Sequence, residues 1–115
     1  GSAVGGTAPN CSIPGAAGGA GQYIPTAFIG PTAPSYGETG PAGRVFSGGG
    51  GGGGGGGAPT PVAAGGLGGG GNGGVQPADP TAGVANTGGG AGGAHATQPT
   101  TAGGSGIVMI RYRFQ

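Results

Sequence analysis

The residues that could carry acid–base or nucleophilic chemistry are few and far apart. The chain contains one cysteine, one histidine and two acidic residues. Cys11 and His95 could formally act as a nucleophile and its base, but nothing in the pattern supplies a third group to orient the histidine. Glu38 and Asp79 stand in two further segments. Because catalysis needs groups whose pKa values are set against one another within one site, the sequence predicts a protein that is not an enzyme.

Metal and cofactor binding are disfavoured on the same grounds. One histidine and one cysteine cannot build a closed four-ligand metal site. Matches to G-x-G-x-x-G arise by chance in a chain with 38 glycines, and none follows a predicted strand and opens a predicted helix. The sequence therefore predicts no metal and no cofactor.

Charge and hydropathy disfavour two further classes of partner. The net charge is +1, which is far too little for a surface that neutralises phosphates. No apolar run approaches the roughly 20 residues that span a bilayer. We therefore expect neither nucleic-acid binding nor a membrane span. The charged residues are Arg44, Arg111 and Arg113 against Glu38 and Asp79.

The composition leaves little material for an apolar core. Of 115 residues, 38 are glycine and 11 are proline, whereas their usual shares are about 7% and 5%. Ordering the backbone costs about 1–2 kcal/mol per residue, and glycine lies at the expensive end of that range. Backbone hydrogen bonds must therefore carry much of the stability of the fold.

The glycines are gathered in tracts that contain no proline, and the prolines lie between the tracts. A flexible linker is the default interpretation of glycine-rich sequence, but a random linker would mix the two residues. Collagen needs glycine at every third position, which only residues 37–43 satisfy. Polyglycine II helices explain the segregation, because proline would remove a donor from the hydrogen bonds between neighbouring helices. The tracts are 15–21, 48–57, 65–74, 88–93 and 103–106.

The two longest tracts supply the predicted scaffold. Without Cβ atoms, neighbouring backbones approach closely enough to exchange N–H···O bonds. Each tract is expected to form one rod of roughly 31 Å, at about 3.1 Å per residue. The predicted fold class is irregular with little regular secondary structure: a bundle of polyglycine II helices over residues 1–106, with loops and a short C-terminal β-strand. The glycines assigned to the scaffold are Gly48, Gly52, Gly57, Gly65 and Gly74.

The end of the sequence, residues 107–115, carries the predicted strand. It is β-branched and aromatic, and its side chains alternate between two faces. A lone strand leaves its ladder groups unpaired, so it needs a partner. Three partners are left open: residues 23–29, which Pro25 would confine to a sheet edge, residues 44–46, or another chain. The residues assigned to strand pairing are Ile107, Val108, Met109, Ile110 and Tyr112.

Two stretches resemble a known family. Residues 103–112, GGSGIVMIRY, are similar to the closing GGSGIVIIRY motif of glycine-rich domains in phage tail-fibre and related tail proteins. Residues 44–47 lead directly into the long glycine run, and this step resembles the one in those domains. Such domains usually open with an apolar stretch of the type VxVLVVGG, which this sequence lacks. We therefore expect the chain to be the C-terminal part of a larger protein.

The resemblance implies a virion component, located extracellularly on the tail fibre as a fibre tip or adhesin. Some adhesins of this type stack polyglycine II helices in layers and expose variable loops to a bacterial surface receptor. The implied partners are other virion tail proteins, copies of the chain itself in a homotrimer or polymer, and that receptor.

Recognition would have to lie in the loops. The longest insertion, residues 22–47, holds three aromatic residues, and aromatic rings supply contact area at a small entropic cost. For Tyr23 and Phe28, packing against residues 107–114 is an equal alternative, whereas Tyr36 is expected to be exposed. For the polar loop residues further along, the alternative role is turn formation. The candidate receptor-binding residues are Tyr23, Phe28, Tyr36, Glu38, Asp79 and His95.

The function predicted from the sequence is a non-enzymatic phage tail-fibre component that presents loops on a glycine-rich scaffold. One alternative is a structural fibre or coat subunit whose rods interleave with those of neighbouring chains. Another is an ice-binding protein, which would need regularly spaced threonines. Thr97, Thr100 and Thr101 are not regularly spaced.

Overall fold

Regular secondary structure makes up a small part of the molecule, which confirms that part of the predicted fold class. The computed structural model describes residues 3–6, 15–30, 36–55 and 61–114. Within these ranges the helices and strands are confined to residues 22–46. The elements are β1 (Gln22–Ile24), α1 (Thr26–Ile29), β2 (Glu38–Gly40) and β3 (Gly43–Phe46). Among the described residues, no helix has the length and apolar character to cross a membrane.

The three strands form one antiparallel sheet with the order β1-β3-β2. Tyr23 of β1 lies opposite Val45 of β3, and Thr39 of β2 lies opposite Arg44 of β3. Strand β1 is an edge strand, as Pro25 predicts, but the candidate strand 23–29 is wrong beyond the proline, because residues 26–29 form helix α1. The sheet supplies most of the small apolar core, because Val45 is fully buried and Phe46 nearly so.

Much of the rest of the described chain lies in seven segments that run side by side, and most of them are rich in glycine. We number them g1 to g7 in chain order. Their ranges are 15–21 (g1), 47–55 (g2), 61–66 (g3), 68–75 (g4), 80–84 (g5), 89–94 (g6) and 101–106 (g7).

Three of these segments, g2, g4 and g6, run parallel and form a closed circuit of backbone hydrogen bonds. The N–H of Gly51 in g2 donates to the carbonyl of Gly71 in g4 at 2.9 Å. Gly71 donates to Gly90 in g6 at 2.9 Å, and Gly93 of g6 donates back to Gly51 at 2.8 Å. The g2-to-g4 bond recurs every third residue, with Gly48 donating to Gly68 and Gly54 to Gly74.

The other four segments run in the opposite direction around this parallel trio. Gly49 and Gly52 of g2 donate to Gly19 and Ala16 of g1, so their partners descend as the donors ascend. Segments g3, g5 and g7 pair antiparallel with the trio in the same way. The chain therefore reverses at every connection. The hydrogen-bonded neighbours define two rows, g3-g4-g5 and g1-g2-g6-g7.

Glycine is required where segments touch. A Cβ atom on Gly51 would overlap the carbonyl oxygen of Ala63, and one on Gly92 that of Asn72, far inside the 3.0 Å that real Cβ atoms keep. The predicted scaffold glycines are crowded to different degrees. At Gly52 the nearest atom would lie at 3.2 Å, a tight but adjustable contact. Gly48, Gly65 and Gly74 have no room for a Cβ atom, and Gly57 lies outside the described residues.

The tract 65–74 is not the single rod that its length predicts. The chain turns at residues 67–69, where Gly68 and Gly69 have φ values of 107° and 88°. The first part of the tract therefore belongs to g3 and the second to g4, in opposite directions. Both φ values lie in the region that favours glycine, so the residue that builds the rods also allows the turn between them.

The predicted C-terminal strand is not observed within the chain. Residues 107–114 belong to no strand, and no backbone hydrogen bond joins them to the described residues. The two intramolecular candidates, residues 23–29 and 44–46, pair with each other through β1 and β3. Neither of these candidates pairs with residues 107–114, and pairing with another chain stays a prediction.

Substitution of Gly51 by alanine tests whether contact between segments holds the fold together. We expect Gly51→Ala to lower the free energy of unfolding by about 1–3 kcal/mol, because the new methyl group forces g2 away from g3. Gly106→Ala is the matched control, since nothing lies within 4 Å of the Cβ position there. Denaturant unfolding measures both variants. Equal stability of the two would contradict the close packing of the segments.

Candidate functional site

The segments have no loops along their length, so the loops and turns lie at the two ends of the molecule. These two ends differ in chemistry. The first, which we call the sheet end, comprises the β1–β3 sheet, the turns 67–69 and 85–88, and residues 107–114. Backbone bonds join these parts, for example from Gly37 to the carbonyl of Asn86 at 3.2 Å. The second, the turn end, comprises the turns at 75–80 and 95–98.

At the sheet end, Glu38 binds the backbone of a neighbouring turn. Its Oε2 atom accepts hydrogen bonds from the N–H groups of Gly68 at 2.7 Å and Gly69 at 2.9 Å. Two successive N–H groups that point at one oxygen form a small anion-binding concavity. The carboxylate of this predicted receptor-binding residue is therefore used to fasten the sheet to the g3–g4 turn.

Arg44 of β3 binds residues 36–39, the stretch that leads into β2 and contains Glu38. Its Nε atom donates to the carbonyl of Tyr36 at 2.7 Å and its Nη2 atom to that of Gly37 at 2.5 Å, while Nη1 donates to the Thr39 hydroxyl. A planar guanidinium with several fixed donors suits this role better than a lysine would. Arg44 thus sets the position of residues 36–39 from the neighbouring strand β3.

The three aromatic candidates also lie at the sheet end. Tyr36 is half-buried rather than exposed, because it lines a groove of about 290 Å³ together with Phe28, Ile29 and residues 107–111. Phe28 is 44% exposed in the same groove. Tyr23 is half-buried in β1. Phe28 thus lines the groove while its side chain stays exposed, which decides neither of its two predicted roles, and Tyr36 is half-buried where the sequence predicts exposure.

The two polar candidates lie at the opposite end of the molecule. Asp79 is exposed in the turn 75–80, and His95 is half-buried in the turn 95–98. The Nδ1 atom of His95 is enclosed without a hydrogen-bond partner among the described residues. The structure therefore separates the six predicted residues into four at the sheet end and two at the turn end, and does not combine them in one site.

Gln98 joins the two turns of the turn end and was not among the predicted residues. Its Nε2 atom donates to the carbonyl of Ala78 at 2.6 Å, and its Oε1 atom accepts from the N–H of His95 at 3.1 Å. Gln76 adds a bond from its Nε2 atom to the Thr97 hydroxyl at 3.2 Å. A side-chain amide has both a donor and an acceptor, so one residue can join two loops. The sequence signal for this bracing role was the pair Gln76 and Gln98, each of which directly precedes a proline in its loop.

Several side chains at the turn end remain open to solvent on this braced framework. Each belongs to the turn 75–80 or to residues 96–100, and most are polar or proline. Apart from Gln76 and Thr97, which bond to each other, such residues can vary without disturbing g4 to g7, because these segments are held mainly by backbone hydrogen bonds. The exposed residues are Gln76, Pro77, Ala78, Asp79, Ala96, Thr97, Pro99 and Thr100.

The described residues contain no cluster of three or more histidine, cysteine or acidic side chains that could hold a metal ion. Cys11, the formal nucleophile of the sequence analysis, lies outside the described residues. Comparison with family models, with curated proteins and with solved structures finds no significant match to this chain.

Replacement of Glu38 separates the structural role of its carboxylate from a role in recognition. We expect Glu38→Ala to lower the free energy of unfolding by about 1.5–3 kcal/mol, because two backbone donors lose a charged acceptor. Asp79→Ala, at an exposed turn position, is the control and should change stability by less than about 0.5 kcal/mol. Thermal or denaturant unfolding measures both. If Glu38→Ala is as stable as the control, the fastening role is wrong.

Proposed function

We propose that the chain is a non-enzymatic phage tail-fibre component that presents variable loops to a bacterial surface receptor. The observation that carries the proposal is the lattice of backbone hydrogen bonds between g2, g4 and g6, because exposed turn residues such as Asp79 and Ala96 lie outside it. The similarity of residues 103–112 to the closing motif of tail-fibre glycine-rich domains gives the lattice its biological setting. The proposed location is the virion, outside the cell.

We propose further that the glycine segments are polyglycine II helices. A threefold helix brings every third N–H group to the same side, and this matches the donors Gly48, Gly51 and Gly54 on the one neighbour g4. At about 3.1 Å per residue, the nine residues 47–55 of g2 span roughly 28 Å. The rods then separate the sheet end from the turn end by about that length.

The turn end is the proposed receptor-facing end. Residues 3–6 pair antiparallel with g1, with Ala3 donating to Ala20 at 3.3 Å, so residue 3 lies at the sheet end. Residues 107–114 contact α1 and lie at the same end. Attachment to other tail proteins through either flank of the chain therefore belongs to the sheet end. Asp79 and the turn around His95 become the recognition candidates, ahead of Tyr23, Phe28, Tyr36 and Glu38.

The second candidate function is a structural fibre subunit that assembles with copies of itself. The observation that favours it is the row of apolar side chains that residues 107–114 expose at the sheet end. The two functions are compatible, because assembly at one end leaves the other end open.

A charge reversal at each end tests the proposed orientation. We expect Asp79→Arg, at the turn end, to weaken binding of the labelled protein to a susceptible bacterial strain at least tenfold, or about 1.4 kcal/mol. The matched control is Ala42→Arg, in the exposed turn between β2 and β3 at the sheet end, which should bind as the unmodified chain does. Both variants should unfold at the temperature of the parent protein.

The possible outcomes separate the two parts of the proposal. Loss of binding in Ala42→Arg alone would place recognition at the sheet end and overturn the orientation. Absence of binding to every strain of a broad bacterial panel would overturn the receptor-binding function and leave the structural one.

A further inference from the structure

The largest exposed apolar feature of the described chain is a row of four side chains in residues 107–114. Val108 is 86% exposed, Ile110 83%, Tyr112 79% and Phe114 92%. They are alternate residues, so an extended backbone carries all four on one face. Contiguous apolar surface of this kind marks an interaction site in a protein that otherwise shows little of it.

The opposite side of the same stretch is held against the body of the molecule. Ile107 and Met109 are half-buried and line the groove that Phe28 shares. The Nη1 atom of Arg111 donates to the carbonyl of Ala27 in α1 at 2.9 Å. The stretch is thus anchored against α1, and Val108 and Ile110 stay largely exposed although they also border the groove.

The backbone of the stretch is also open to pairing. None of its N–H and C=O groups makes a backbone hydrogen bond within the described part of the chain. The free edges of the sheet belong to β1 and β2, which have only three residues each and cannot match a stretch of eight. A partner of equal length is needed, and a second copy of the same stretch provides one.

We propose that residues 107–114 of two copies of this chain pair as antiparallel strands about a twofold axis at Ile110. In this register Val108 lies opposite Tyr112 of the partner subunit, and β-branched with aromatic residues make favourable cross-strand pairs. Met109 lies opposite Arg111 of the partner subunit. The neighbouring register, centred on Arg111, would set two like charges directly opposite each other, which is destabilising. The arrangement of charge therefore disfavours the register centred on Arg111, and the pairing of Val108 with Tyr112 favours the one centred on Ile110.

The apolar row adds cross-strand contacts to such a pairing. Side-by-side strands bring the two rows together on one face of the ribbon, so each aromatic side chain is covered in part by the neighbours opposite it. The contact is independent of the receptor-binding proposal, because it uses the end of the molecule opposite the recognition turns.

The mass of the chain in solution tests the pairing. We expect the unmodified protein to have twice its monomer mass of 10.1 kDa in light scattering or sedimentation. Ile110→Lys should return the mass to 10.1 kDa, because it sets two ammonium groups against each other at the axis. Val62→Lys, which changes a 44% exposed valine in g3, should remain dimeric. A monomeric parent protein overturns the proposal, and so does an oligomer that survives in Ile110→Lys.

Oxidative cross-linking tests the register independently of affinity. In a Cys11→Ser background, Ile110→Cys should form a disulfide-linked dimer, since residues at a twofold axis between strands face each other at about 4.5–5.5 Å. Val108→Cys should not, because its thiols lie four residues apart along the ribbon. Cross-linking of both variants to the same extent would show non-specific collision and would overturn the register.

Discussion

The structure depends on hydrogen bonds between backbones that have no side chains between them. Gly51 and Gly71 each donate to one segment and accept from another, so the parallel trio is held together by main-chain groups alone. At both glycines a neighbouring carbonyl oxygen lies where a Cβ atom would otherwise be. Because every segment supports two or more others, the bonds offset the large entropic cost of ordering so many glycines.

In this scaffold, side chains contribute less by filling an apolar core than by binding main-chain groups. The apolar core is small, and Val45 is its only completely enclosed large residue among those described. Glu38, Arg44 and Gln98 instead bind main-chain groups and fix loops to the ends of the segments. Glu38, which the sequence predicts to bind a receptor, therefore holds a turn in place instead, while exposed residues of the turns can vary.

The alternation of direction along the chain divides the molecule into a sheet end and a turn end. Three parallel segments require that the connecting segments return between them, so every second connection is at the same end. The proposed assembly and recognition surfaces lie at opposite ends of a molecule whose longest dimension is 62 Å. Neither proposed activity has to compete with the other for surface or alter the backbone hydrogen bonds between the two ends.

The sequence by itself determined that the backbone must carry the fold, since 38 glycines and few large apolar residues allow nothing else. It also determined the edge position of β1 through Pro25. Only the tertiary structure decided that the tract 65–74 turns back at Leu67–Gly69, because a run of glycines contains no side-chain signal for a reversal. It likewise decided that Glu38 fastens a turn and that residues 107–114 form no backbone hydrogen bond with the other described residues. Hydrogen-bond partners in such a lattice are set by which segments become neighbours, and backbones without side chains do not encode that choice locally.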